Sequence, residues 1–154
     1  MKTNVYKLAL VKEKAVDYRV RDFRCMSPNK VAEFVNLVFD AKNLPEEHLW
    51  TLCCDTQLHI VGVFEVSHGT VNGASASPKD ILKRVLLTGA SSFFMVHNHP
   101  SGMCYPSDYD NALTRKLYEL GRLLELELLD HVIIGDGVNY SYKQEGKLKE
   151  KEEW

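Results

Sequence analysis

Ser92-Phe93-Phe94-Met95-Val96-His97-Asn98-His99-Pro100-Ser101-Gly102, continued by Ser107-Asp108-Tyr109-Asp110, is the stretch whose reading decides the fold. The run Ser92–Val96 is short and fully apolar after its first residue, as a strand buried on both faces must be. Pro100 and Gly102 break it into a loop. Ser107 then opens an amphipathic helix in which Leu113, Leu117, Leu120, Leu124 and Leu128 recur at three to four residues. Leu129–Ile134 is a second buried strand, Gly135-Asp136-Gly137 turns the chain, and Val138–Tyr142 is a last strand. Strand, helix and strand in succession predict one mixed sheet covered by helices.

Working outward toward the N-terminus, Ser77-Pro78-Lys79-Asp80 carries helix-opening chemistry, with Asp80 three residues after the cap. Ile81, Leu82, Val85 and Leu86 form the buried stripe, and Gly89 is the stop. Ser67–Ser77 reads as a loop. Leu58–Val66 is apolar on both sides and is expected to be a central strand, with Glu65 near its end. His48–Cys54 is the strand before it, across the turn Asp55-Thr56-Gln57. Ser27-Pro28 opens a further helix, with Val31, Phe34, Val35, Val38 and Phe39 on one face and an end at Asn43–Pro45. Residues 5–11 and 15–24 alternate loosely about Lys12-Glu13-Lys14 and predict a hairpin near an edge, a position open to homodimer formation. Lys143–Trp154 reads as a solvated tail or short helix.

A chain of 154 residues, 45% hydrophobic and 26% charged, fits one domain with its own core. The net charge of −2 gives no overall footprint for nucleic acid or an anionic membrane. Basic residues do gather at the start, where Lys2, Lys7, Lys12, Lys14, Arg19, Arg21, Arg24 and Lys30 outnumber Glu13, Asp17 and Asp22. A solvated edge explains them; a DNA contact is the alternative. No secretory signal and no apolar run long enough for a membrane span are visible. Cys25, Cys53, Cys54 and Cys104 form no CxxC pair and read as free thiols of a cytoplasmic protein.

The chemistry lies in the opening stretch. His97 and His99 are two apart, so on an extended segment they face the same way, and Pro100 biases His99 toward that extended backbone. A loop kept compact by Pro100, Gly102 and Pro106 can return Asp110, in the first helical turn, to the same point. Two histidines and a carboxylate are suitable zinc ligands, and three protein ligands leave a tetrahedral position for water. Ser107-x-x-Asp110 is equally a capping box, and both roles can hold at once. Glu65 is a carboxylate in an apolar run, costly to bury unless it is paired or bound. His131 reads as structural, or as a support behind the ligands. His48, His59 and His68 read as solvent or loop residues. Tyr105 and Tyr109 flank the loop, and Cys104 lies inside it.

Taken together, Glu65, His97-Asn98-His99-Pro100-Ser101-Gly102 and Ser107-x-x-Asp110 resemble the motif of the JAMM (JAB/MPN) metalloprotease family, in the wording of its bacterial RadC branch. The likeness runs from about Glu46 to Gly146 and includes Gly69-Thr70, Gly73-Ala74-Ser75, Ser77-Pro78 and Leu129-Asp130-His131. It implies an α/β fold, the cytidine-deaminase-like α/β/α layering, and a single zinc. It implies His97, His99 and Asp110 as ligands, Glu65 as the general base and Ser107 as the oxyanion donor. The implied activity is hydrolysis of a peptide or isopeptide amide. An accessory role in DNA repair or mobile-element biology, with the site unused for proteolysis, is the alternative. A deaminase would need H-x-E with P-C-x-x-C, and the chain has neither. Two departures stand out. The extension of residues 1–45, read as hairpin and helix, does not resemble the helix-hairpin-helix region usual in that branch, and Lys79 stands where arginine is usual.

Overall fold

A computed structural model of the chain describes residues 3–7, 9–15, 27–69 and 76–149. Among the described residues, three α-helices and five strands follow one another as α1 (Pro28–Phe39), β1 (Glu47–Cys54), β2 (Ile60–Gly69), α2 (Pro78–Thr88), β3 (Ser92–Asn98), α3 (Asp108–Leu123), β4 (Glu127–Ile134) and β5 (Asn139–Ser141). Each helix begins where its sequence predicts. Ser27, Ser77 and Ser107 accept from the backbone N–H three residues on, and Pro28 and Pro78 occupy the first turns of α1 and α2. Gly89 ends α2 in a left-handed conformation at φ 67°. Asp40 ends α1 the same way at φ 54°, and one 3-10 turn, Ala41–Asn43, follows.

The strands form one sheet in the order β2-β1-β3-β4-β5. Only β3 and β4 are parallel, as the α3 crossover between them requires; the other pairs are antiparallel. Helix α1 packs Val31, Phe34 and Val35 on one face with Trp50, Leu52, Val96 and Val132. Helices α2 and α3 pack Ile81, Val85, Leu113 and Leu117 on the other with Phe93, Met95 and Leu128. The result is the expected helix–sheet–helix layering of a mixed α/β fold. Strand β3 lies at its centre with every residue buried, and it carries His97 to the sheet's end without exposing an apolar residue.

Three expectations are corrected. Strand β2 is not central: among the described residues it is the sheet edge, and Val61 is 51% exposed. Its two apolar sides arise because both helical layers reach it, Ile60 and Val63 on one face and Phe64 and Val66 on the other. The leucine stripe of α3 stops at Leu117, since Leu120 and Leu124 are substantially exposed and the buried line continues through Gly121. A Cβ at Gly121 would meet the Leu126 carbonyl at 2.4 Å, so the turn into β4 packs where a side chain would otherwise sit. In the N-terminal hairpin, residues 5–7 and 9–11 form no strand and residues 16–24 lie outside the described residues. Cys25 and the far end of the tail lie outside them too. No described helix is long and apolar enough to cross a membrane.

Candidate metal centre

Four side chains converge at the end of the sheet: Glu47 from the start of β1, His97 from the end of β3, His99 just beyond it, and Asp110 from the first turn of α3. One nitrogen or carboxylate oxygen from each of the four lies within 4.8 Å of the others. His97 Nε2 lies 2.9 Å from His99 Nε2 and 3.4 Å from Asp110 Oδ1, and His99 Nε2 lies 3.8 Å from Asp110 Oδ2. Ligands bound to one tetrahedral zinc at about 2.0–2.1 Å stand roughly 3.3 Å apart. Two imidazoles and a carboxylate at these separations therefore fit such an ion in both donor chemistry and spacing.

Backbone contacts set the orientation of His99. Its Nδ1 lies 2.7 Å from the Met103 carbonyl, which can only accept, so Nδ1 carries a proton and donates it. In the neutral ring this turns the Nε2 lone pair toward His97 and Asp110. The loop behind is tied to the β4–β5 turn: His99 N–H donates to the Ile134 carbonyl, and Asp136 N–H donates to the Gly102 carbonyl.

Asp110 forms the capping box its sequence position suggested and also faces the converging group. Oδ2 closes the capping box, accepting from Ser107 N–H at 2.8 Å and from Ser107 Oγ at 2.6 Å, while Oδ1 faces His97. Burial works to raise the Asp110 carboxyl, but the bond with His99, the nearby His97 and the Ser107 bonds outweigh it and hold the carboxyl well below the usual carboxylate range. His99 rises in turn, chiefly through Asp110. His97 is driven well below its ordinary value, first by burial and then by the nearby His131. Burial raises Glu47 above the ordinary glutamate value; His99 opposes the rise and Asp110 adds to it.

His97, His99, Asp110 and Ser107 are thus brought together, and Glu65 is not. Leu49 pairs with His97 across β1 and β3, so Glu47, two residues earlier on the same face of β1, falls beside His99. Glu65 pairs with Trp50 and so shares the opposite face, where its carboxylate lies 3.3 Å from His48 Nδ1. His48 is accordingly a half-buried strand residue rather than a loop residue. His59 and His68 pair loosely with Asp55 and Glu46 near solvent. Cys104 is half-exposed and contributes no atom to the converging group. Tyr109 donates to the Ala76 carbonyl, which ties α3 to the start of α2, and Tyr105 is exposed.

His131 lies behind His97. Its Nε2 is 2.8 Å from His97 Nδ1, and its Nδ1 is 2.6 Å from Thr114 Oγ1. Both residues are fully buried. The sequence suggested a support role for His131 but gave no sign of Thr114, one helical turn after Asp110.

Comparison with known proteins agrees with this arrangement. The family described as the RadC-like JAB domain matches residues 25–147. A UPF0758 protein of Clostridium acetobutylicum is 35% identical over 129 residues, which is 83% of this chain and 56% of that protein. A UPF0758 protein of Methanococcoides burtonii is 42% identical over 107 residues, 70% of this chain and 47% of the other. A third, of Desulforudis audaxviator, is 41% identical over 100 residues, 65% of this chain and 44% of the other. The chain spans about half the length of these curated relatives. With a family match over most of its length, a helix-covered mixed sheet and a His, His, Asp and Glu cluster at the sheet's end, the chain belongs to the RadC-like JAB domain family.

Proposed function

We propose that the chain is a zinc-dependent hydrolase that cleaves a peptide or isopeptide amide, with His97, His99 and Asp110 as metal ligands, Glu47 as the general base and Ser107 as an oxyanion donor. The observation that carries this reading is the carboxylate of Glu47 beside three ligand atoms already spaced for one ion. A zinc ion held there would supply Lewis acidity toward the amide carbonyl and bring the ionisation of a water molecule near neutral pH.

Glu47 would take a proton from the attacking water on a carboxylate oxygen as the new C–O bond forms. It would return that proton to the nitrogen as the C–N bond breaks. Burial suits it to both steps, since a raised carboxyl holds a proton better than an exposed glutamate does. Ser107 Oγ donates to Asp110 Oδ2 in this structure. To serve a developing oxyanion, the hydroxyl rotates toward the substrate while its backbone N–H keeps the cap.

Elemental analysis and turnover on a fluorogenic peptide and isopeptide panel test the proposal. The purified chain is expected to hold one zinc, and His97→Ala to lose it. Glu47→Gln is expected to keep the zinc and lose turnover by at least a hundredfold, in line with general acid–base contributions of about 10²–10⁴, while Glu65→Gln keeps both. No stoichiometric metal, or full turnover by Glu47→Gln, overturns the proposal.

A further inference from the structure

We infer that Thr114 and His131 form a directional hydrogen-bond relay that fixes the tautomer of His97 and so orients its Nε2 lone pair toward the metal position. The inference rests on the reading of the cluster as a metal centre.

Its direction follows from the proton inventory. The Thr114 hydroxyl has one proton, and Oγ1 lies 2.6 Å from the Asp110 carbonyl, which can only accept. The hydroxyl proton therefore belongs to that bond. The oxygen is left to accept, and the atom facing it at 2.6 Å is His131 Nδ1, which must carry a hydrogen. A neutral His131 then has a bare Nε2, and this atom faces His97 Nδ1 at 2.8 Å. His97 must be the donor in that bond, so its own Nε2 is the bare nitrogen, on the side of the ring that faces His99 and Asp110, and with no ion between them the proton of the 2.9 Å contact with His99 Nε2 sits on His99.

The reverse direction would set two lone pairs against each other between Thr114 and Asp110. All four residues of the relay are buried, with Thr114 and His131 at 0% exposure, so no solvent competes for these bonds. The relay starts on the backbone of one ligand, Asp110, passes through β4, and ends on the ring of another, His97. It couples the register of α3 to the ring orientation on β3. Thr114 and His131 are positioning residues: they touch the ligands and not the reacting atoms.

Two measurements on the full chain test the relay. In long-range proton–nitrogen spectra of histidine-labelled protein, His131 and His97 are expected to be protonated on Nδ1, with zinc and after chelation alike. Thr114→Val is expected to weaken zinc binding about 10–100-fold in competition with a chelator, and Thr114→Ser, which restores the hydroxyl, to recover the wild-type affinity. His131 protonated on Nε2 overturns the relay, as does folded Thr114→Val with wild-type affinity. Should Thr114→Val not fold, the His131 spectrum of the unaltered chain still decides. A wild-type chain that takes up no zinc removes the metal reading, while the spectrum judges the relay separately.

Discussion

Asp110 divides its two carboxylate oxygens between building a helix and completing a site: Oδ2 caps α3 and Oδ1 faces His97. Ser107 shares the first task, so Ser107→Ala is expected to cost about 1 kcal/mol of stability as a lost N-cap. As a lost oxyanion donor it is expected to reduce turnover by about 10²–10³-fold. Urea titration and steady-state kinetics separate the two effects, because a capping role alone would leave the turnover of the folded fraction unchanged. His97, His99 and Asp110 were legible in the sequence because they lie within one short segment, where strand alternation and a compact loop fix their convergence. Glu47 was not. Several acids stand near strand ends, and only the pairing of Leu49 with His97 selects the one on the correct face. Glu65 stands out for the cost of burying a carboxylate, and the family resemblance implies it as the base, yet it is partly exposed and paired with His48.

At the scale of elements, capping made the helices legible, and the apolar run Phe93–Val96 made β3 legible as a buried strand. Strand order was harder to read, because a run with apolar residues on both sides looks central whether it is flanked by strands or, like β2, only sandwiched by helices. The two loops that meet at the sheet's end bear directly on the site. A Cβ on Gly135 would stand 2.7 Å from the Gly102 carbonyl and 2.8 Å from the Val138 carbonyl, both backbone atoms. Gly135→Ala is therefore expected to push the ligand loop off the β4–β5 turn, at a cost of about 1–3 kcal/mol. It should also weaken zinc binding, because the backbone of His99 is held by the neighbouring Ile134. Calorimetric titration with zinc checks this, and an unchanged affinity would show that the loop holds its shape without that close approach.

For the molecule as a whole, the buried histidines tie stability to pH. Burial holds His131 down to about 4 against an ordinary value of 6.5, and it moves His97 in the same direction. Between those limits the unfolded chain binds protons that the folded chain refuses. The stability from His131 is thus complete above about 6.5 and is lost as pH falls toward 4, by on the order of 3 kcal/mol. His99, raised mainly by Asp110, acts in the opposite sense, its contribution fading as pH rises through its folded value. Urea unfolding of the chelated chain from pH 7.5 to about 4.5 should show the loss, and His131→Gln should flatten it. A slope that His131→Gln leaves unchanged would assign the pH dependence to other groups.

The central claim is that the sheet's end holds a three-ligand metal with an open position served by Glu47. The most direct measurement is a crystal structure of the zinc-loaded chain with anomalous data at the zinc edge. The prediction is one peak about 2.0–2.2 Å from His97 Nε2, His99 Nε2 and an Asp110 oxygen, with a solvent molecule in the fourth position and a Glu47 oxygen within hydrogen-bond reach of it. A peak elsewhere, or Glu47 bound directly as a fourth ligand in a closed structural site, would contradict it.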